Sequence, residues 1–237
     1  MFKLVIFDID GTLIDSEETG VLSLMQTIRE LTGREVSYDE AYRWFGISSA
    51  DVSRDLHYAD AVGFGERWEE NYVALSHLIK PFPGTLEMVA AIKAAGFRTG
   101  IVTARNHFEF DKDEHIKPFL PHIDHIVCAD DTTRRKPDPA PMIRCVELAS
   151  EAIASGLAAD VSPADSANER SGLSSLDAPA IFPAEAIYFG DTIHDFRCAD
   201  GAGCCFALAD WRSRGLQGIP APYRFTSAPE ALQILGL

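Results

Sequence analysis

Basic residues are in deficit in this chain, with 36 Asp and Glu against 21 Lys and Arg and a formal net charge of −15. A field of that sign repels polyanions, which excludes a nucleic-acid partner and an anionic membrane surface and demands local positive charge wherever a phosphate is held. No apolar run reaches the roughly 18 residues of a membrane span. Met1-Phe2-Lys3 leads straight into an apolar segment instead of a signal-peptide pattern, so the expected compartment is the cytoplasm. Cysteines are few and odd in number: Cys128, Cys145, Cys198, Cys204 and Cys205 are scattered, mostly in apolar runs, which fits reduced core residues and not a disulfide framework. His122, His125 and Cys128 have zinc-like spacing, but no fourth ligand stands nearby and the group runs into an apolar stretch. The glycine-rich fingerprint of a dinucleotide-binding turn is missing after the first apolar run. Between Asp15 and Ile79 there is no lysine at all, which removes any Schiff-base chemistry from that stretch.

What is present is a regular alternation. Near-continuous apolar runs at residues 4–9, 98–103, 125–129, 186–189 and 204–208 read as strands buried on both faces, with a late edge strand at 223–226. Helical patterns at 85–95 and 140–154 lie between them. This predicts an α/β fold, a doubly wound parallel sheet. The stretch between the first two strands is far longer than the dozen or so residues a simple crossover needs. There Ser16 before Glu17 and Glu18 marks a helix start, with Val21, Leu24, Ile28 and Leu31 on one stripe. Ser37 with Glu40 opens a second helix, residues 49–62 and 66–79 continue the series, and Pro81-Phe82-Pro83-Gly84 marks the return. The expected organisation is a core of residues 1–14 and 81–237, a small helical cap over 15–80, and an acidic Ala/Ser-rich surface insertion at 155–180.

Polar groups stand at the end of strand after strand. Asp8 and Asp10 close the first, Thr103 the second, Asp130 and Asp131 follow the third, and Asp191 follows the fourth, so the topology gathers them where open α/β sheets bind ligands. Asp8, Asp10, Asp191 and Asp195 at one edge repel one another unless a cation joins them. All-oxygen ligation suits Mg2+. Lys136, between Arg135 and Pro137, supplies a fixed positive charge on a stiffened loop, while Arg134 and Arg135 read as a solvated basic turn.

Four segments carry a family resemblance: Asp8-Ile9-Asp10-Gly11-Thr12, Thr103 within Ile101-Val102-Thr103-Ala104-Arg105-Asn106, Lys136-Pro137, and Gly190-Asp191-Thr192-Ile193-His194-Asp195. In this order at strand ends, the chain resembles a haloacid dehalogenase-superfamily phosphohydrolase with a small helical cap, similar to phosphoglycolate phosphatases. The resemblance implies a nucleophile at Asp8 that forms an aspartyl phosphate, and an acid and then base at Asp10. It implies Mg2+ held by Asp8, the Asp10 carbonyl and Asp191 with Asp195 in support, and phosphoryl oxygens held by Thr103, Lys136 and the amide region of Ala104. The expected partner is a small phosphorylated metabolite, and the expected state a monomer or homodimer. Arg43, Ser48, Ser49 and Arg54 are the cap candidates for substrate contact, while Trp44, Phe45 and Trp68 read as cap core.

Other readings stay open. A phosphomutase shares the core, and a phospho-aspartyl signalling module or a catalytically silent binding protein also gathers acids, a threonine and a lysine at a sheet edge. A dehalogenase would not need Asp10.

Overall fold

The computed structural model describes residues 2–159, 180–213 and 218–237. Most of the expected insertion, residues 160–179, lies outside the described residues. Six parallel strands form the main sheet: β1 (Leu4–Phe7), β4 (Arg98–Val102), β5 (His125–Val127), β6 (Ala186–Gly190), β7 (Cys205–Ala209) and β8 (Tyr223–Phe225), in the order β5-β4-β1-β6-β7-β8. From β1 the chain winds outward through β4 and β5, then crosses to the other side of β1 for β6 and beyond. The winding therefore reverses at β1, which puts a crevice at its carboxyl end.

The even burial of the strands follows from helices on both faces. Val5 and Phe7 of β1 pack with Met88, Val89 and Ile92 of α5 (Thr85–Ala94) and with Ala228 and Ala231 of α9 (Ala228–Leu232). Leu4 and Ile6 face the opposite layer, against Met142, Cys145 and Ala149 of α7 (Ala140–Ala159) and Cys198 of α8 (Ile193–Ala202). The five cysteines are unpaired and four of them are buried. Among the described residues no helix is long and apolar enough to cross a membrane.

The chain leaves and re-enters the sheet layer through a two-residue antiparallel pair, β2 (Ile14–Asp15) with β3 (Lys80–Pro81). Between them lie α1 (Glu17–Thr32), α2 (Tyr38–Tyr42), α3 (Ser49–Asp55) and α4 (Ala61–Leu75). These helices enclose a separate core in which Val21, Leu24 and Ile28 of α1 meet Val52 of α3 and Phe64 of α4. Trp68 Nε1 donates to Ser23 Oγ at 2.9 Å and Asn71 Nδ2 to Thr27 Oγ1 at 2.9 Å, tying α4 to α1. Gly33, at φ 69°, closes α1 in the left-handed conformation.

Two helix expectations shift. The periodicity predicts helices at 49–62 and 66–79, whereas the break falls between Asp55 and Ala61. His57 sits at φ 56° there, and the Asp60 side chain accepts the Gly63 N–H, starting α4 five residues early. Ser16, read as the cap of α1, makes no capping bond and donates instead to Asp10 Oδ1.

Phe64 is fully buried, with its ring against Tyr58 and Trp68. Phe64→Ala is expected to lower unfolding free energy by about 3–5 kcal/mol. Urea titration of the variant checks this, and a loss under about 1 kcal/mol would contradict the packing described.

Candidate active site

Three strand ends and one loop build the site. Asp8 continues β1, its N–H donating to Phe189 O at 2.8 Å, and its side chain is almost fully buried. The backbone then turns sharply: Leu13 and Ile14 both return their N–H groups to Ile9 O. Gly11 takes φ 81° in this turn, and a Cβ there would stand 2.1 Å from Asp191 Oδ2, so only glycine lets the β6 edge approach the β1 turn. Gly190 plays the same part for Asp195, whose Cβ lies 2.6 Å from where a Gly190 Cβ would be. Asp195 is also locked by a capping box at the start of α8, its Oδ2 accepting from Thr192 N at 3.0 Å and Thr192 Oγ1 at 2.6 Å.

Lys136 joins the acids. Its Nζ donates at 2.7 Å to Asp8 Oδ1, at 2.7 Å to Asp195 Oδ1, and at 3.1 Å to the Tyr188 hydroxyl. The lysine side chain is only 3% exposed. Burial works against its charge, but Asp195 and Asp8 outweigh that and raise its pKa. For Asp195, burial opposes ionisation, while Lys136 and Thr192 more than compensate and hold the carboxyl below its usual value. For Asp8 the balance stays unfavourable: burial, Asp195 and Asp10 push it up to about 7 against the pull of Lys136.

For Asp191 the pull of Lys136 is too weak to compensate. Its Oδ1 is buried without a hydrogen-bond partner among the described residues, and burial with the nearby Asp195 and Asp8 charges raises its carboxyl well above the usual range. Carboxylate oxygens of Asp8, Asp191 and Asp195 lie within 4.8 Å of one another. An orphaned oxygen beside two further carboxylates, with no nitrogen or sulfur donor in the set, fits a hard divalent cation. Cys128, set apart from zinc by the sequence, comes near His107 and Asp130, but burial pushes its thiol up to about 12 and His107 pairs with Asp131 at 3.0 Å.

Asp10 belongs to a different network. Arg105, two residues past Thr103, grips it with Nε to Oδ2 at 2.7 Å and Nη2 to Oδ1 at 2.7 Å, a bidentate pair. The same guanidinium donates to Asp113 Oδ2 at 2.5 Å and to the Tyr72 hydroxyl of α4 at 2.6 Å. Arg105 pulls the Asp113 carboxyl below its usual value despite burial. Thr103 is buried at the end of β4, its Oγ1 accepting the Arg105 N–H at 3.2 Å.

Beside Asp10 a cavity of about 660 Å³, mouth included, opens between sheet and helices. Ala104, Ser48 and Ser49 line it, with Phe45 and Trp68, which also pack on the helical core. Arg43 and Arg54 do not. Arg43 is exposed at the end of α2, and Arg54 pairs with Asp51 at 2.7 Å on the edge of a separate open groove shared with Arg134 and Arg135. Arg135 is not merely solvated, since its Nη1 reaches Ser48 Oγ at 3.4 Å.

Sequence reasoning missed Arg105, Tyr188, Ser16 and Tyr72 as parts of the site. One signal was available: Asp10 needs a counter-charge, and Arg105 is a cation directly after a strand end. Tyr188 looks like any aromatic strand residue, and nothing in the sequence marks Tyr72.

Comparison with known proteins places the chain. A family model described as haloacid dehalogenase-like hydrolase matches residues 5–153, and the chain belongs to that family. Similar curated proteins include a phosphoglycolate phosphatase from Aquifex aeolicus, 28% identical over 88% of this chain and 85% of its own, and the pyrophosphatase PpaX from Bacillus cereus, 24% identical over 89% and 84%. Among solved structures, CbbY from Rhodobacter sphaeroides in complex with phosphate superposes with a TM-score of 0.72 at 20% identity over all of both chains.

The Arg105–Asp113 pair yields a pH dependence. A carboxyl depressed in the folded state contributes stability that is present above its unfolded pKa, near 3.8, and is lost as pH falls through the folded value. Asp113→Asn is expected to lose about 1.5–3 kcal/mol at pH 7, with the gap to the parent protein narrowing below pH 3.8. Urea unfolding at pH 7 and pH 3 checks it; a pH-independent gap would contradict an ionic origin.

Proposed function

We propose that the protein is a Mg2+-dependent phosphatase that hydrolyses a small phosphorylated metabolite in the cytoplasm through an aspartyl phosphate on Asp8. The observation that carries this reading is the Lys136 ammonium, held 2.7 Å from both Asp8 and Asp195 at the switch point of the sheet. A buried cation of that kind steadies an anionic nucleophile and the phosphoryl oxygens that arrive against it.

Bound by Asp8, the Asp10 carbonyl and Asp191, with Asp195 in support, Mg2+ would neutralise charge on the incoming phosphate. An Asp8 oxygen attacks phosphorus, the bond to the alcohol oxygen breaks, and Asp10 gives that oxygen a proton. Asp10 then takes a proton from water, whose oxygen attacks the aspartyl phosphate and releases inorganic phosphate and free Asp8. Thr103, Ala104 and Lys136 hold the phosphoryl oxygens. Arg105 and Ser16 hold both Asp10 oxygens in this structure, so one of these contacts yields when the proton is carried.

Residues 1–14 and 81–237 act as the catalytic core in this reading, and residues 15–80 as a cap. Two bonds support its closure over the site: Ser49 Oγ to Glu109 Oε1 at 2.8 Å, and Arg105 Nη2 to the Tyr72 hydroxyl at 2.6 Å. Ser48 and Ser49 face substrate from that side.

Two tests follow. Chelation of divalent metal is expected to abolish hydrolysis of an aryl phosphate and added Mg2+ to restore it; full turnover in excess chelator would overturn the metal assignment. Asp8→Asn is expected to give neither phosphoenzyme nor product. Asp10→Asn is expected to release about one phenolate per site in a rapid-mixing burst, because an aryloxide leaves without protonation, and then to turn over about a hundredfold to ten-thousandfold more slowly. A burst from Asp8→Asn and none from Asp10→Asn would reverse the two roles.

A further inference from the structure

The cavity beside Asp10 is where the alcohol half of a phosphate ester would lie, and its charge is one-sided. Val21, Leu24, Phe45, Ile47 and Trp68 make an apolar wall suited to methylene or aryl carbon. Its polar lining carries the acids Asp10, Glu69 and Glu109, and a single cation, Arg105.

Nearly all of these groups are already engaged. Arg105 makes four hydrogen bonds, two to Asp10, one to Asp113 and one to Tyr72, so one guanidinium faces two carboxylates. Glu109 accepts from Ser49 Oγ at 2.8 Å and from the Asn106 N–H at 2.9 Å. Ser48 Oγ donates to Asp51 Oδ2 at 2.7 Å. Glu69 is the exception. It is 8% exposed, lines the cavity from α4, and makes no hydrogen bond among the described residues.

The Glu69 carboxyl opens onto the cavity with no protein donor in place among the described residues, so a ligand that brings one meets no competitor. Burial pushes Glu69 up to about 7, with Glu109 and Asp113 adding to the rise and Arg105 and Lys112 opposing it. A second anion entering here would lose its water against three acids and one spoken-for arginine. A donor, above all a cationic one, would find its partner in place.

We infer that the cavity selects a phosphate monoester of an amino alcohol, whose ammonium binds Glu69 while its carbon chain lies on the Phe45 and Trp68 wall, and that it rejects esters whose alcohol half bears a second anion. This rests on the phosphatase reading above and narrows it. It also separates this chain from what the names of its relatives suggest, since phosphoglycolate and pyrophosphate both carry that second anion.

The test compares substrates matched in size. With the full chain and Mg2+, kcat/KM is measured for ethanolamine phosphate against phosphoglycolate, and for 4-(aminomethyl)phenyl phosphate against 4-carboxyphenyl phosphate, with phenyl phosphate as reference. The ammonium member of each pair is expected to be preferred by roughly ten- to a hundredfold, the worth of a hydrogen bond to a charged group. Glu69→Gln, of nearly equal volume, is expected to bring both ratios to within about threefold. That arm separates Glu69 from the general pull of an acidic protein on cations, which the variant retains almost whole. Preference for the carboxylate members, or ratios unmoved by Glu69→Gln, would overturn the inference and leave the phosphatase reading standing. Failure to hydrolyse any of the five, phenyl phosphate included, would bring down both.

Discussion

Four carboxylates brought to one edge of a sheet are the constraint to which the rest of the molecule answers. Asp8 and Asp10 come from the end of β1, and Asp191 and Asp195 from the end of β6 and the start of α8. Like charges this close in a buried setting are stable only if cations are interleaved. Lys136 and Arg105 are those cations, and each has little freedom to be elsewhere. Lys136 is buried between two carboxylates and a tyrosine hydroxyl, and Arg105 between two carboxylates and another hydroxyl. Gly11 and Gly190 are the steric side of the same arrangement, because a methyl group at either would push a carboxylate out of the cluster.

The two cations divide the acids into unlike pairs. Asp8 shares Lys136 with Asp195 and stands beside the unpartnered oxygen of Asp191, so it belongs to the region where a divalent cation fits. Asp10, only two residues on, is turned away from that region and held by Arg105 and Ser16. Two aspartates separated by one residue thus have separate surroundings, which is what the proposed nucleophile and proton carrier require. Arg105 also reaches Tyr72 on α4, so the guanidinium that orients Asp10 touches the helices that wall the cavity. One side chain thus joins Asp10 to the cavity wall.

Much of the fold was legible in the sequence because its strands are buried on both faces. Such strands leave unbroken apolar runs, as at Leu4–Phe7 and Ala186–Gly190, that no exposed element imitates. Helix boundaries were less legible. The break between α3 and α4 carries no proline or glycine to mark it, and only the left-handed His57 and the Asp60 cap reveal it.

The sequence by itself determined that the chain is α/β, that acids and a threonine end its strands and that a lysine follows on a loop, because strand ends are local features and parallel winding gathers them at one edge. Tertiary structure alone decided which cation serves which acid, that Ser16 turns from its helix to Asp10, that Arg43 and Arg54 stay outside the cavity, and that Glu69 faces into it. Those are relations between residues up to 128 positions apart, as with Lys136 and Asp8. They depend on where a side chain points once helices and sheet have packed, and that direction is set by neighbours distant in the chain.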